Sequence, residues 1–381
     1  MIYLDNAATS FPKPDSVYDE MQKCMKEYGA NPGRGGHAMS IRASMEVMRV
    51  RESLGSFFNI KNPMQICFTK NATEALNIGI CGFLKDGDHV ITTSMEHNSV
   101  IRPIKTLERD RGIEISIIPC NDFGEIDVND IKKQIKTNTK LIISTFSSNV
   151  NGIVMPVTEI GNLARENGLV FLLDASQGAG SFEIDVEKMR IDIMAFPGHK
   201  GLMGPQGTGG LYINEELSLL PVLYGGTGSH SEIIYQPEMM PDKMESGTLN
   251  TPGIIGLGAG IDYIKSIGIG NVKKKKYELV ERLHTGIEEL KGIKLYSKNS
   301  IDMNSGIVAM NFDDIDSTEI SYVLDKVYGI ATRAGLHCSL LAHQTFGTVK
   351  SGIVRFSVGI FNTNDEIDAT INALKEISTS A

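Results

Sequence analysis

Between residues 60 and 215, short β-branched or apolar runs alternate with segments whose apolar residues recur at helical spacing, such as 74–82 and 157–167. The alternation predicts an α/β fold with a mostly parallel sheet covered on both faces. The predicted strands are residues 65–69, 89–93, 113–118, 141–145, 170–174, 191–196 and 209–213. Ligands of such sheets bind beyond the carboxyl ends of the strands. Thr73, His97 and Asp174 fall at or just after such ends.

The pattern changes after Pro252. Two helices are predicted at 253–265 and 274–290, and Gly292 is expected to close the second. Strands are predicted at 293–296, 306–311, 329–333 and 354–358. Further helices are expected from Asp316 and from Thr363, each followed three residues later by a Glu that would complete a capping box. This part of the chain is expected to form a smaller α+β domain.

Composition narrows the class of protein. The 381 residues carry a formal net charge of −9, which argues against nucleic acid or an anionic membrane as a partner. The basic run at residues 273–276 is expected to open a helix and to form a solvated face. We expect no membrane span and no signal peptide. Five scattered cysteines without a CxxC pair indicate a reducing compartment, and hence a cytoplasmic protein.

The candidate chemistry centres on Lys200, which follows His199 in a loop of small residues, and on Asp174, which ends an apolar run 26 residues earlier. A lysine amine can form a Schiff base with the aldehyde of pyridoxal 5'-phosphate (PLP). A carboxylate can keep the pyridinium nitrogen protonated. Taken alone, Lys200 could be a surface residue and Asp174 a helix cap. The pair in this context favours a PLP enzyme.

Other residues leave alternatives open. Thr73 begins a helix and could bind a phosphate or simply cap that helix. His97 could stack on a cofactor, move a proton or be structural. Cys338 could be a nucleophile, a small buried apolar residue or, with His337 and His343, part of a metal site that matches no known zinc spacing. Arg355, in an apolar strand, requires an anion, either a substrate carboxylate or an internal acid.

Together these segments resemble the cysteine desulfurases, PLP-dependent members of the class V aminotransferases with fold type I. The resemblance runs from Tyr3-Leu4-Asp5-Asn6 to Arg355-Phe356-Ser357-Val358 and rests on many short motifs in the same order. It implies a large domain with a mostly parallel seven-stranded sheet and a smaller C-terminal α+β domain. The expected boundaries are an N-terminal segment at 1–14 that packs with the small domain, the PLP-binding domain at 15–250 and the small domain at 251–381.

The resemblance also implies cofactor contacts. Lys200 would form the Schiff base and move the α-proton, and Asp174 would pair with the pyridinium nitrogen. His97 would stack on the ring and shuttle protons. The remaining contacts fall to Gln177 at the ring hydroxyl, to Ala72, Thr73 and His199 at the phosphate, and to Asn149 beside cofactor and substrate. Thr227 would reach the phosphate of a neighbouring subunit, which implies a homodimer.

On the substrate side, Arg355 would bind the carboxylate with Arg333 nearby, and Cys338 would form a persulfide. Two departures from the family pattern matter. Pro197 replaces a Ser or Thr that contacts phosphate. The sequence before Cys338 is Gly-Leu-His, where the family often has Gly-His-His, so one imidazole is missing. The short stretch from Cys338 to Arg355 resembles the SUF-type subgroup with an ordered Cys loop.

These features predict an L-cysteine desulfurase that releases L-alanine and passes sulfur to an acceptor, such as an iron–sulfur assembly protein or a thiol reductant. The alternatives are a selenocysteine lyase acting on L-selenocysteine and a class V aminotransferase or other PLP lyase. A catalytically silent PLP-fold binding module is disfavoured by the intact pair of Lys200 and Asp174.

Overall fold

The computed structural model describes residues 1–33, 35–229, 232–313 and 315–380. Its strands are β1 (Ile2–Tyr3), β2 (Ile66–Thr69), β3 (His89–Thr93), β4 (Glu114–Ile118), β5 (Thr139–Thr145), β6 (Val170–Asp174), β7 (Ile193–Pro197), β8 (Gly209–Ile213), β9 (Ile293–Leu295), β10 (Ile307–Phe312), β11 (Ile330–Ala331) and β12 (Val354–Ser357).

Its helices are α1 (Asp15–Glu27), α2 (Ala38–Phe58), α3 (Ala72–Phe83), α4 (Asn98–Arg111), α5 (Val128–Lys133), α6 (Val157–Glu166), α7 (Thr251–Ile267), α8 (Ile269–Glu288), α9 (Ser317–Tyr328), α10 (Leu340–Phe346) and α11 (Asn364–Ser380). A 3-10 turn, Pro63–Gln65, precedes β2. Within these described segments, no helix is both long and apolar enough to cross a membrane.

A seven-stranded sheet in the order β2-β8-β7-β6-β5-β3-β4 forms the centre of the described chain. Strand β8 is antiparallel to β2 and β7, whereas the remaining neighbours are parallel. This confirms the predicted mostly parallel α/β sheet. Both faces are covered, and most strand residues are buried, except in the edge strand β4. The carboxyl ends of β3, β5, β6 and β7 therefore meet along one edge.

Helix α3 begins two residues before its predicted start. The cause is Asn71, whose side-chain oxygen accepts a hydrogen bond from the Glu74 amide at 2.9 Å and caps the helix. The cap leaves the first amides of α3 at the edge of the sheet where β6 and β7 end. The capping box predicted at Thr363 and Glu366 is also formed, with reciprocal bonds of 3.0 and 3.3 Å. At Asp316 only the N-cap forms, because the Asp316 side chain accepts a hydrogen bond from the Thr318 amide but, among the described residues, no reciprocal bond from Glu319 completes a capping box.

The C-terminal part contains an antiparallel sheet in the order β12-β10-β9. The strand predicted at 329–333 is shorter than expected, since β11 covers only Ile330–Ala331, and it pairs in parallel with β1 at the start of the chain. Arg333 forms only an isolated bridge with Arg355 of β12. The proposed division at residues 14 and 250 stays a prediction, although this pairing ties the first residues to the C-terminal part.

The basic run at 273–276 does not open α8, because Gly268 ends α7 and α8 starts at once with Ile269. The expectation of a solvated face fails at Lys276, whereas the Lys274 side chain is exposed. The Lys276 ammonium turns inward and donates to the Ser181 hydroxyl at 2.9 Å and to the Ser305 carbonyl at 2.6 Å. Burial lowers the pKa of Lys276 to about 8.

Candidate active site

A cleft enclosing about 490 Å³ of empty space opens at the carboxyl edge of the central sheet. Among the residues predicted from the sequence, the cleft brings together Ala72, Thr73, His97, Asn149, Asp174, Gln177, His199 and Lys200. Its walls are completed by Asn71, Ser99, Thr145, Ser147, Ser176 and Pro197.

The cleft contains a carboxylate, Asp174, and a lysine amine, Lys200. Asp174 ends β6 with only 2% of its surface exposed, and its Oδ1 accepts a hydrogen bond from the Ser176 amide at 2.9 Å. Lys200 follows β7, the neighbouring parallel strand. Burial lowers the pKa of Lys200 to about 8, and the negative charge of Asp174 opposes that shift. A substantial fraction of the Lys200 amine is therefore neutral near physiological pH, as a nucleophile or base requires.

His97 caps α4, and its protonation state follows from its contacts. The Ser99 amide donates to Nδ1 at 3.0 Å, so Nδ1 is an acceptor and the neutral ring carries its proton on Nε2. The Ser99 hydroxyl lies 2.9 Å from Nδ1 and 2.8 Å from the hydroxyl of Thr73. Burial lowers the pKa of His97 to about 4, so the ring is neutral at physiological pH.

The start of α3 and His199 form another part of the cleft wall. Ala72 and Thr73 form the first turn of α3, whose amide groups and dipole favour an anion. The buried Nδ1 of His199 has no hydrogen-bond partner among the described residues. Burial lowers the pKa of His199 to about 4, so its ring is neutral. Pro197 lines this cleft without a hydroxyl or an N–H.

Arg355 already has an internal partner. Its guanidinium donates to Asp5 Oδ1 at 2.7 Å and to the Asn149 carbonyl at 2.8 Å, while its buried Nε has no partner in the described chain. Of the two anions that the sequence left open for Arg355, the internal acid is present, and it is Asp5. Arg333 pairs with Arg355 through backbone hydrogen bonds. The Arg333 side chain is half-buried and forms no hydrogen bond or ion pair with a described residue.

Cys338 is exposed and directly precedes the segment leading to α10. Its carbonyl accepts a hydrogen bond from the Asn98 amide at 2.8 Å. The side chain of Asn149 donates to the His337 carbonyl at 2.7 Å and accepts from the Ser339 hydroxyl at 2.7 Å. Asn149 thus lines the cleft and binds the residues on both sides of Cys338, at the His337 carbonyl and the Ser339 hydroxyl. The alternative of a small buried apolar residue is wrong for Cys338.

Gln177 and Thr227, the two remaining predicted cofactor contacts, lie in different parts of the structure. Gln177 lines the cleft, but its amide donates to the Ala7 carbonyl at 3.1 Å. Thr227 does not line the cleft and borders an open depression elsewhere. Exposed apolar side chains border the same depression: Tyr224, Ile233, Ile234 and Tyr235. No group of three His, Cys, Asp or Glu side chains in the described ranges is arranged to hold a metal ion.

Sequence reasoning missed several residues around the cleft. Ser99 joins His97 to Thr73, and its position two residues after a capping histidine was an available signal. Glu96 is fully buried beside His97, and burial raises its pKa to about 8. Asp5 could be assigned as the partner of Arg355 only in three dimensions, because 350 residues separate the two.

Comparisons with known proteins agree with this geometry. The family model described as aminotransferase class V matches residues 2–370. A probable cysteine desulfurase of Methanothermobacter thermautotrophicus is 37% identical over 388 residues, covering 99% of this chain and 94% of the relative. The apo structure of a cysteine desulfurase from Thermococcus onnurineus superposes with a TM-score of 0.94 at 34% identity, covering 100% of this chain and 95% of that one.

A crystal structure of a cysteine desulfurase from Escherichia coli is also similar, with a TM-score of 0.88 at 27% identity. The match covers 99% of this chain and 94% of the other. These similarities extend across both the central sheet and the C-terminal part that carries Cys338 and Arg355.

Proposed function

The chain belongs to the cysteine desulfurases of the class V aminotransferase family, and from that premise we propose that it converts L-cysteine to L-alanine with transfer of the sulfur to Cys338. The observation that supports this most directly is the position of Asn149. It lines the cleft of Lys200 and Asp174, accepts Arg355 at its carbonyl and binds the backbone beside Cys338. Asn149 therefore lies between the amine of Lys200, the guanidinium of Arg355 and the segment that carries the thiol of Cys338.

The family is PLP-dependent, and the residues of the cleft fit that cofactor. Asp174 is a buried carboxylate available to a protonated ring nitrogen, and the unpartnered Nδ1 of His199 lies in the wall near the start of α3. Lys200 would bind the aldehyde, and Ala72, Thr73 and His199 would hold the phosphate. When bound, the cofactor would supply an electron sink for the carbon atoms of the substrate.

Around that cofactor, Lys200 Nζ would take the proton from the α-carbon of L-cysteine. Its lowered pKa makes it competent as a base near neutral pH. His97 would stack against the ring and hold a proton on Nε2. Arg333 would bind the substrate carboxylate together with the unpartnered Nε of Arg355.

The Cys338 thiolate would then attack the substrate sulfur. A sulfur–sulfur bond forms as the carbon–sulfur bond breaks, and the electron pair of the broken bond stays with carbon. That carbon gains a proton and becomes the methyl group of L-alanine. The persulfide on Cys338, which is exposed, would pass its sulfur to an acceptor protein or a thiol reductant.

We further propose a cytoplasmic homodimer. The support is the apolar surface around Thr227, which a second copy of the chain would cover. In such a dimer, Thr227 of one copy would approach the phosphate bound in the cleft of the other copy. A free chain would expose this surface to water.

The test is alanine release from L-cysteine in the presence of a thiol reductant, for the wild type, Cys338→Ala and the control Cys81→Ala, which removes a half-buried thiol of α3. Activity that is lost only in Cys338→Ala supports the proposal. Equal alanine release by wild type and Cys338→Ala excludes a persulfide on Cys338. Faster turnover of L-selenocysteine by both proteins would favour a selenocysteine lyase, and production of a keto acid would favour an aminotransferase.

A further inference from the structure

Two buried histidines, His337 and His343, lie close to Cys338 in the sequence and contact each other. His337 precedes Cys338, and His343 lies on α10. Their rings are nearly parallel, with centroids 5.6 Å apart and 14° between the planes, and His337 Nδ1 lies 3.4 Å from His343 Nε2. His337 is 4% exposed and His343 is fully buried. The proposed reaction assigns no task to either ring.

The neighbours of the two rings set the direction of one hydrogen-bond chain. His337 Nε2 lies 3.3 Å from the Arg333 carbonyl, which can only accept, so this nitrogen carries a proton. His337 Nδ1 is then the acceptor of a proton from His343 Nε2. His343 Nδ1 in turn accepts from the Thr348 hydroxyl at 2.8 Å. Burial lowers the pKa of His337 to about 2 and of His343 to about 4, so both rings are neutral, as this chain requires.

The backbone between these contacts is strained. His337 has φ of 49° and Cys338 has φ of 58°, the left-handed region that residues other than glycine rarely adopt. Such residues persist only where their surroundings hold them. On one side, Asn149 and Asn98 bind the carbonyls of His337 and Cys338. On the other side, the side chain of His337 is held by His343.

We propose that His343 is a positioning residue for Cys338, holding the left-handed backbone of the nucleophile through the ring of His337. The inference rests on the proposed role of Cys338. It also accounts for the Leu336 departure from the Gly-His-His-Cys pattern. In this chain the second imidazole comes from α10, five residues after Cys338, and its neutral ring orients the loop in place of supplying charge.

The test compares His343→Phe, which keeps a flat ring but loses both hydrogen bonds, with His343→Gln, which retains a donor towards His337. The matched control is His89→Phe. His89 is also buried and bonded at both ring nitrogens, to Thr139 and Ser116, but it begins β3 at the edge of the sheet opposite the cleft. For each variant, the PLP-loaded enzyme is assayed for kcat and KM with L-cysteine. The alkylation rate of the Cys338 thiol by iodoacetamide is followed by mass spectrometry, with Cys81 as an internal reference.

We expect His343→Phe to lower kcat about tenfold, the scale of one buried hydrogen bond, with KM little changed. The alkylation rate of Cys338 relative to Cys81 should also change. His343→Gln should restore part of both readouts, and His89→Phe should alter neither beyond any loss of thermal stability. Equal kcat and alkylation in His343→Phe and wild type would overturn the proposal, as would equal effects of His343→Phe and His89→Phe.

If His343→Phe does not fold, Thr348→Val decides, because it removes only the donor to His343 Nδ1. We expect about a two- to threefold fall in kcat and a changed Cys338 alkylation rate, and unchanged values would refute the inference. The alkylation readout does not need turnover. If Cys338→Ala proves fully active, the proposed function fails, whereas a changed Cys338 alkylation rate in the His343 variants would still establish the positioning contact.

Discussion

The carboxylate of Asp5 lies 2.7 Å from the guanidinium of Arg355, which also donates to the carbonyl of Asn149 in the wall of the cleft. Arg355 is 1% exposed, and Asp5 provides its ion-pair partner in the described chain. A buried arginine without an acid would be costly. The same acid, however, competes with any substrate carboxylate that approaches the guanidinium.

Asp5→Asn should therefore have opposite effects on folding and on substrate binding. The free energy of unfolding should fall by about 1–3 kcal/mol, because Arg355 loses its counter-charge. The KM for L-cysteine should fall about two- to fivefold, since the competing acid is gone. Denaturant unfolding and steady-state kinetics measure the two quantities. Asp368→Asn, which breaks the exposed pair with Arg282, is the control and should change little. An unchanged KM in Asp5→Asn would argue that Arg355 does not bind the substrate.

Lys200 should cost the folded chain stability at neutral pH. Its pKa is lowered to about 8 from its ordinary value of 10.5, so the folded chain binds fewer protons than the unfolded chain between these values. The contribution of Lys200 to the free energy of unfolding is therefore most unfavourable below pH 8. It becomes less unfavourable as the pH rises towards 10.5. In protein freed of bound small molecules, Lys200→Met should be more stable than wild type at pH 7 by on the order of 1–3 kcal/mol.

The advantage of Lys200→Met should shrink as denaturant unfolding is repeated from pH 8 to pH 10. The exposed Lys140 of β5 is the control position, and Lys140→Met should change the free energy of unfolding little. A stability difference for Lys200→Met that stays constant with pH would mean that Lys200 titrates normally.

Glu96 offers a second pH-dependent effect, with the opposite proton balance. Its Oε1 accepts from the Thr93 hydroxyl at 2.7 Å and the Thr145 amide at 2.9 Å, whereas Oε2 has no partner in the described segments. Burial raises the pKa of Glu96 from 4.5 to about 8. The folded chain therefore keeps a proton that the unfolded chain releases, and stability from this residue falls as pH rises from 4.5 to 8.

Glu96→Gln mimics the protonated carboxyl and should match wild-type stability near pH 4.5. At pH 8 it should exceed wild type by on the order of 1–3 kcal/mol in denaturant unfolding. Glu245→Gln is the contrasting variant, because Glu245 is a buried acid paired with Arg51 at 3.0 Å, and it should be destabilised. Equal stability gains for Glu96→Gln at both pH values would contradict the protonated state.

Asn149→Ala should loosen the Cys338 segment without unfolding the sheet. The side chain of Asn149 binds the His337 carbonyl and the Ser339 hydroxyl, and the left-handed residues between them depend on such contacts. Hydrogen exchange should become about tenfold faster at the amide of Asn98, which donates to the Cys338 carbonyl. Asn311→Ala, which removes a buried contact to the Gly352 carbonyl, should leave that amide protected.

The parts predictable from sequence are those with a local signal. Periodicity located the strands of the central sheet, and loop chemistry at their carboxyl ends located Asp174, His97 and Lys200. The partner of β11 was not predictable, because β1 is only two residues long and lies more than 300 residues away. The inward turn of Lys276 was missed because a basic run is normally solvated. The role of Asn149 as a shared contact depends on residues from three distant parts of the chain.

The contact between Asp5 and Arg355 also bears on the order in which the protein can be assembled. During synthesis, every strand of the central sheet leaves the ribosome well before Arg355 does, whereas the first residues wait for partners at positions 330 and 355. Long-range contacts of this kind form late, because closing a large loop costs entropy before any contact forms. A nascent chain could thus possess the cleft of Lys200 and Asp174 while Asp5 and Arg355 are still far apart.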